Sequence, residues 1–244
     1  MRTLVIGDIH SRLDSLKGVL KLSNYNPESD RIICIGDYID GGKYAYEVAD
    51  YLLELDENSR RENIFLLGNH DYTFLNILED GMDKFRDRER IEEVHWEFYN
   101  NGGMATYDSY ISKSDEEIIH HREQFFKKLK YYHVEDNKLF VHAGYDFNDT
   151  IENCYREDKN QLLWDRHLYK SSINDHSDSS SKTKFGPWDT IFIGHTPTFL
   201  YGDDTPRRRC NVVAIDQGCK VNGKLSAWIL ETDKWYQYVP KKNR

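Results

Sequence analysis

No uninterrupted apolar stretch in the 244 residues approaches the ~18 needed to span a bilayer. Nor does an apolar segment of signal-peptide type precede the first strand-like run, so neither a membrane helix nor a secretory leader is expected, and the chain reads as soluble and cytoplasmic. Cys34, Cys154, Cys210 and Cys219 form no C-x-x-C pair. That removes a zinc knuckle or redox dithiol and leaves reduced, structural thiols. A basic surplus is missing as well: 33 Lys and Arg face 42 Asp and Glu, for a net charge of −9. Such a balance does not suit a protein that grips nucleic acid phosphates, and no nucleic acid or membrane partner is expected. Internal repeats are absent too.

What is present is a set of short apolar runs that each end in a cluster drawn from Gly, Asp, Asn and His. They read Leu4-Val5-Ile6-Gly7-Asp8-Ile9-His10, Ile32-Ile33-Cys34-Ile35-Gly36-Asp37-Tyr38-Ile39-Asp40, Ile64-Phe65-Leu66-Leu67-Gly68-Asn69-His70-Asp71, Leu139-Phe140-Val141-His142-Ala143-Gly144 and Thr190-Ile191-Phe192-Ile193-Gly194-His195-Thr196. A buried strand cannot hide polar groups cheaply, so these side chains belong just past strand ends. Five such ends imply one shared polar centre. Between the first three runs, apolar residues recur at helical spacing over Arg12 to Leu22, Tyr44 to Leu55 and Tyr72 to Leu78. The β-α-β-α-β order predicts parallel strands. A charged, helical insertion or cap is expected over about 83–132, interrupted at Asn100-Asn101-Gly102-Gly103, and a mobile, Ser-rich surface loop over about 171–184. Strands return from Lys138, and the last two, Ser226 to Leu230 and Trp235 to Val239, read as an antiparallel hairpin. One domain spanning 1–244 suits this length.

Asp8 and His10 are two residues apart, so in extended chain both point to one side and form a candidate metal-ligand pair. Asp37 carries enough lone pairs to serve two ions at once. Asn69, His142 and His195 supply an amide oxygen and two imidazoles for a second ion. Carboxylate, amide and imidazole without thiolate fit Mn, Fe, Zn or Co, and the ligand set does not choose among them. Each residue alone is as readily a cap or a structural histidine. Their joint recurrence at five strand ends selects the metal reading.

These blocks, Gly7-Asp8-Ile9-His10, Gly36-Asp37-Tyr38-Ile39-Asp40, Gly68-Asn69-His70-Asp71, His142-Ala143-Gly144 and Gly194-His195-Thr196, resemble the five signature blocks of calcineurin-like metallophosphoesterases. More narrowly they resemble the bacterial and phage branch of the phosphoprotein phosphatases, related to the diadenosine tetraphosphatases. Asn101-Gly102-Gly103-x-Ala105-Thr106, Leu162-Leu163-Trp164-x-Arg166 and Ile215-Asp216-x-Gly218-Cys219 extend the likeness along the chain. The resemblance implies an α/β fold, a four-layer α/β/β/α sandwich with mixed sheets. It implies one divalent ion on Asp8, His10 and Asp37, a second on Asp37, Asn69, His142 and His195, and a bridging hydroxide that attacks phosphorus. By the same resemblance His70 is the general acid, oriented by Asp40. One departure stands out: the family usually places Arg after the second aspartate, to clamp phosphate, whereas this chain has Gly41. Arg166, and Lys43 as a point charge, are the expected substrate-binding cations. The implied activity is phosphoester hydrolysis on a Ser/Thr phosphoprotein, with a small nucleotide such as diadenosine tetraphosphate as the alternative and a non-catalytic binding protein as a remote one.

Overall fold

The computed structural model describes residues 1–174 and 184–241. Ten strands, among the described residues, form two five-stranded sheets. The first has the order β10-β9-β1-β2-β3, with β1 (Thr3–Ile6), β2 (Arg31–Cys34) and β3 (Ile64–Phe65) parallel, and with β9 (Leu225–Ile229) and β10 (Lys234–Tyr238) added antiparallel. The second has the order β4-β5-β6-β8-β7. Here β5 (Lys138–Val141), β6 (Thr190–Ile193) and β8 (Val212–Ala214) are parallel, while β4 (Tyr132–Glu135) and β7 (Arg207–Arg209) are antiparallel edges. Both sheets are therefore mixed.

Strand alternation explains the layering. Leu4 and Ile6 pack on helices, while Val5 between them faces the other sheet. Val5, Ile33, Ile35, Ile64 and Leu66 of the first sheet meet Phe140, Phe192, Val213 and Ile215 of the second, with Phe140 stacked on Phe192 at 5.2 Å. Every one of these side chains is buried, and each contributes about 1.5–3 kcal/mol by leaving water. Outside the first sheet lie α1 (Leu13–Leu22), α2 (Ala45–Glu57) and α3 (Asn69–Glu79), whose Leu16, Val19, Val48, Leu52, Phe74 and Ile77 join that sheet's outer core.

The expected cap forms on the same side from α4 (Met82–Arg86), α5 (Arg88–Val94), α6 (Trp96–Phe98), α7 (Met104–Tyr110) and α8 (Asp115–Gln124), interrupted by a π-type turn at Tyr99–Gly103. Ser114 and Glu117 cap α8 reciprocally. Outside the second sheet, α9 (Ile151–Asp158), α10 (Gln161–Trp164) and α11 (His167–Asn174) complete the α/β/β/α order. A short α12 (Cys219–Asn222) links β8 to β9.

The structure corrects several expectations. The loop expected at about 171–184 begins as the last turn of α11, and 175–183 lie outside the described residues. Residues 132–135, at the end of the expected insertion, form β4. Arg207-Arg208-Arg209, a basic run that carries no apolar strand signature, is the edge strand β7. Its Arg207 pairs with Asp203 and its Arg208 with Asp233 at 2.5 Å. No helix of the described residues is long and apolar enough to cross a membrane.

Candidate metal centre

The parallel strands of both sheets deliver their final residues to one place. Backbone bends aim them: His10, Asp37 and His195 all adopt positive φ, at 51°, 52° and 61°. Left-handed backbone costs a non-glycine residue of order 1–3 kcal/mol and persists where the surroundings enforce it. The enforcement here is a set of hydrogen bonds. Ile9 N and His10 N both donate to Asp37 O at 2.9 Å, and His195 N donates to the Asp8 carboxylate at 2.9 Å. Two glycines leave the room the carboxylates take, since a Cβ on Gly68 would lie 2.1 Å from Asp37 Oδ1, and one on Gly194 the same distance from Asp8 Oδ1.

Asp37 is the hub. His10 Nε2 lies 3.6 Å and His142 Nε2 3.5 Å from Asp37 Oδ2. Its other oxygen accepts from His70 N at the start of α3, where helix amides are free to bind an anion. His10 Nδ1 donates to Ile39 O at 3.0 Å and His142 Nδ1 to Ile35 O at 2.9 Å, which fixes both tautomers with an Nε2 lone pair facing the hub. Burial pushes His10 down to about 3 and His142 below its ordinary range, so both rings are neutral. His142 Nε2 and His195 Nδ1 lie 3.0 and 2.9 Å from Asn69 Oδ1.

A neutral His142 whose single proton serves Ile35 therefore points a lone pair at the Asn69 and Asp37 oxygens. Two further buried atoms, Asp8 Oδ1 and His195 Nε2, have no hydrogen-bond partner. Burial first, then Asp216 and Asp37, raises the Asp8 carboxyl well above the usual range. Converging lone pairs without protons between them repel, and a divalent cation relieves them. The residues present thus fit a metal site. Two groups of potential donor atoms, His10 with Asp37 and His70 and Asp37 with His142 and His195, share Asp37.

His70 is placed differently from the others. Its Nδ1 bonds Asp40 Oδ2 at 2.6 Å. Burial disfavours the imidazolium, but Asp37 and Asp40 outweigh it, and the His70 pKa is raised. Asp40 is itself held from the cap, because Thr106 Oγ1 donates to Asp40 Oδ1 at 2.6 Å and accepts from Asp40 N at 3.0 Å.

A cavity of about 220 Å³ opens over these groups, lined by His10, Asp37, Asn69, His70, His195 and Arg166 among others. Arg166 donates to Thr196 Oγ1 at 3.0 Å, and more distantly to His195 O at 3.4 Å. The structure brings together Asp8, His10, Asp37, Asn69, His142, His195, His70, Asp40 and Arg166. It leaves Lys43 out: that ammonium sits on the Tyr44 ring, 4.9 Å from its centre, on an exposed turn that does not line the cavity. Lys220 lines it instead, with Nζ 3.3 Å from His70 Nε2 and donating to Asn101 O at 2.6 Å. Tyr38, within the Gly36–Asp40 block, is fully buried beneath the site and donates to Leu66 O.

Sequence reasoning also passed over Asp71. One of its oxygens accepts from Asp37 N and Gly68 N at 2.7 and 3.0 Å, the other from Tyr38 N at 3.0 Å, so it ties the second and third strand ends together. The signal was its place in the Gly68-Asn69-His70-Asp71 block.

The model of the calcineurin-like phosphoesterase family matches residues 1–212. The chain belongs to that family. Among its relatives is the symmetrical bis(5'-nucleosyl)-tetraphosphatase of Buchnera aphidicola, 23% identical over 97% of each chain. Serine/threonine-protein phosphatase 2 of Salmonella typhimurium is 28% identical over 91% of this chain and 89% of its own. The crystal structure of a cold-active protein-tyrosine phosphatase from a psychrophilic Shewanella superposes with a TM-score of 0.58 at 17% identity, covering 98% of this chain and 77% of the other. That last likeness concerns the fold. As a calcineurin-like phosphoesterase, this protein is a phosphoester hydrolase with a dinuclear divalent metal site.

Proposed function

We propose that this protein is a Ser/Thr phosphoprotein phosphatase that uses two Mn ions, one on Asp8, His10 and Asp37 and the other on Asp37, Asn69, His142 and His195. The observation that carries the metal assignment is the convergence of neutral His10 and His142 on a single oxygen of Asp37, with buried lone pairs left over on Asp8 and His195. Two divalent ions in such a site acidify a water and neutralise phosphoryl charge. The chain does the rest. Arg166, held at Thr196, presents its guanidinium to the phosphate. His70 stands at the cavity wall as a proton donor whose pKa Asp37 and Asp40 raise against the cost of burial, and Asp40, fixed by Thr106, orients its ring through Nδ1. Proton delivery to the departing alkoxide is the step that this dyad serves.

The Salmonella relative supports the phosphoprotein reading by its similarity over most of both chains. A second reading, hydrolysis of a dinucleoside polyphosphate, is favoured by a different observation. A cavity of about 540 Å³ adjoins the site, and Trp164 lines both. Trp96 is 61% exposed there, and Trp164 is 40% exposed. Two accessible indoles suit a planar base. The deciding experiment offers Mn-loaded protein a phosphoserine peptide and diadenosine tetraphosphate separately, with His70→Asn as the control. Phosphate from the peptide alone supports the first reading, and cleavage of the dinucleotide alone overturns it in favour of the second.

A further inference from the structure

The geometry points to Lys220 as a phosphate-binding residue of this site, admitted to it by the absence of a side chain at Gly41. This assignment deepens the phosphoesterase reading and rests on it.

Gly41 follows Asp40 at a φ of +90°, a conformation that disfavours any side chain. Space forbids one as well, since a Cβ there would stand 2.6 Å from Lys220 Cγ. The Lys220 stem therefore lies over the bare Gly41 backbone and carries its ammonium to the cavity wall. Three contacts hold it. Arg12 donates to Lys220 O at 3.1 Å, Lys220 Nζ donates to Asn101 O at 2.6 Å, and the same Nζ stands 3.3 Å from His70 Nε2. Asn101 is in turn kept beside Gly41 by a bond from Gly41 N to Gly102 O, so the cap, the Gly41 turn and α12 interlock around one lysine.

The lysine is half-buried, which costs an ammonium free energy and lowers its pKa, against the pull of Asp40, Asp37 and Asp216. Yet none of its hydrogen bonds goes to a carboxylate. An ammonium has three hydrogens to place. One goes to Asn101, and His70 Nε2 can take another only while it lacks its own proton, so the anion that completes the set is one that enters the cavity. Arg166 lines the same cavity, and a phosphoryl group there would meet a planar fork from one element and a point charge from another. Gly41 and Lys220 are thus an exchange: the positive charge comes from β8–β9 instead of from the residue after Asp40.

The test uses the full chain loaded with Mn, with inorganic phosphate as the probe, read by calorimetry and as a product inhibitor. Lys220→Gln and Lys220→Ala should weaken phosphate binding about tenfold or more, as expected for losing a charge-assisted hydrogen bond. KM should rise in parallel while metal content stays at the wild-type value. Lys220→Arg should retain part of the affinity. Gly41→Arg alone should weaken phosphate binding, because the new side chain collides with the Lys220 stem, whereas Gly41→Arg combined with Lys220→Ala should bind better than Lys220→Ala alone. Phosphate binding unchanged in Lys220→Gln, or lost only along with the metal, overturns the assignment. Calorimetry does not require turnover, so wild-type protein that binds phosphate but hydrolyses no phosphoester would sink the functional reading and leave the lysine testable. Wild-type protein that binds no phosphate overturns the lysine as well.

Discussion

At the level of single residues, the proposed ligands and the proposed proton donor separate by what their ring nitrogens touch. His10 and His142 give their Nδ1 protons to backbone carbonyls, whereas His70 gives its own to a carboxylate. Asp37→Asn should therefore lose bound metal and activity together, as measured by metal analysis and turnover on one preparation. His70→Asn should keep its metal and lose about 10²–10⁴-fold in kcat, most severely for alkyl phosphates and least for a nitrophenyl ester, which needs little proton help. Equal losses on both esters would remove the general-acid role. Because the His70 pKa is raised, activity should fall as pH climbs through that raised value. His70→Asn should abolish this limb of the profile.

The convergence of the proposed ligands was legible in sequence because each sits where an apolar run stops, and buried strands put such residues at their ends. Lys220 was not legible, because nothing at its own position marks it. Only the fold sets α12 against the Gly41 turn, and Lys43 was the nearer cation along the chain. Asp71 escaped for another reason, since its work is to accept backbone amides and no spacing rule marks that.

Among elements, the cap touches the candidate site at Asn101 and, through one hydroxyl, at Asp40. Thr106 on α7 both donates to and accepts from Asp40, so Thr106→Val should leave metal binding intact and lower kcat about tenfold, with Thr106→Ser recovering most of it. An unchanged kcat in Thr106→Val would mean that the cap only covers the site. The helices α1 and α2 and the parallel order of β1, β2 and β3 followed from periodicity and from alternation of element types. The edge strands did not. β4 is only partly buried and reads Tyr-His-Val-Glu, and β7 is three arginines, so neither carries the apolar signature by which interior strands announce themselves. Charged edge strands resist pairing with other chains, which accounts for the composition that hid them. α3 begins at Asn69, three residues before the helical spacing shows, because its first turn is used for the site and not for packing.

Over the whole molecule, the buried carboxyls make stability depend on pH and metal together. Burial raises Asp216 to about 7 and, with Asp37 beside it, Asp71 to about 8, and raises Asp8 as well. A carboxyl raised on folding holds more protons in the native state than in the unfolded one, so its stability is present at low pH and lost as pH rises through the raised value. Above about pH 6.5 the lowered imidazoles of His10, His142 and His195 are neutral in both states and no longer contribute. Metal-free protein should accordingly lose Tm between pH 6.5 and 8.5. Saturating Mn should raise Tm most at the upper end of that range. A metal-free Tm that instead rises over this interval would show that these carboxyls are already ionised in the folded chain.

The donors come from two sheets that share no backbone ladder: Asp8, Asp37 and Asn69 follow strands of the first, His142 and His195 strands of the second. Elsewhere along this seam the sheets are joined by the apolar layer around Val5, Ile33, Phe140 and Phe192 and by ion pairs such as Arg31 with Glu135. An ion held by Asp37, Asn69, His142 and His195 would therefore act as a rivet between the two sheets, because neither sheet offers that set of donors alone. Amide exchange after Ile193 and after Ile6 should slow together when metal is added, although 187 residues of chain separate Asp8 from His195.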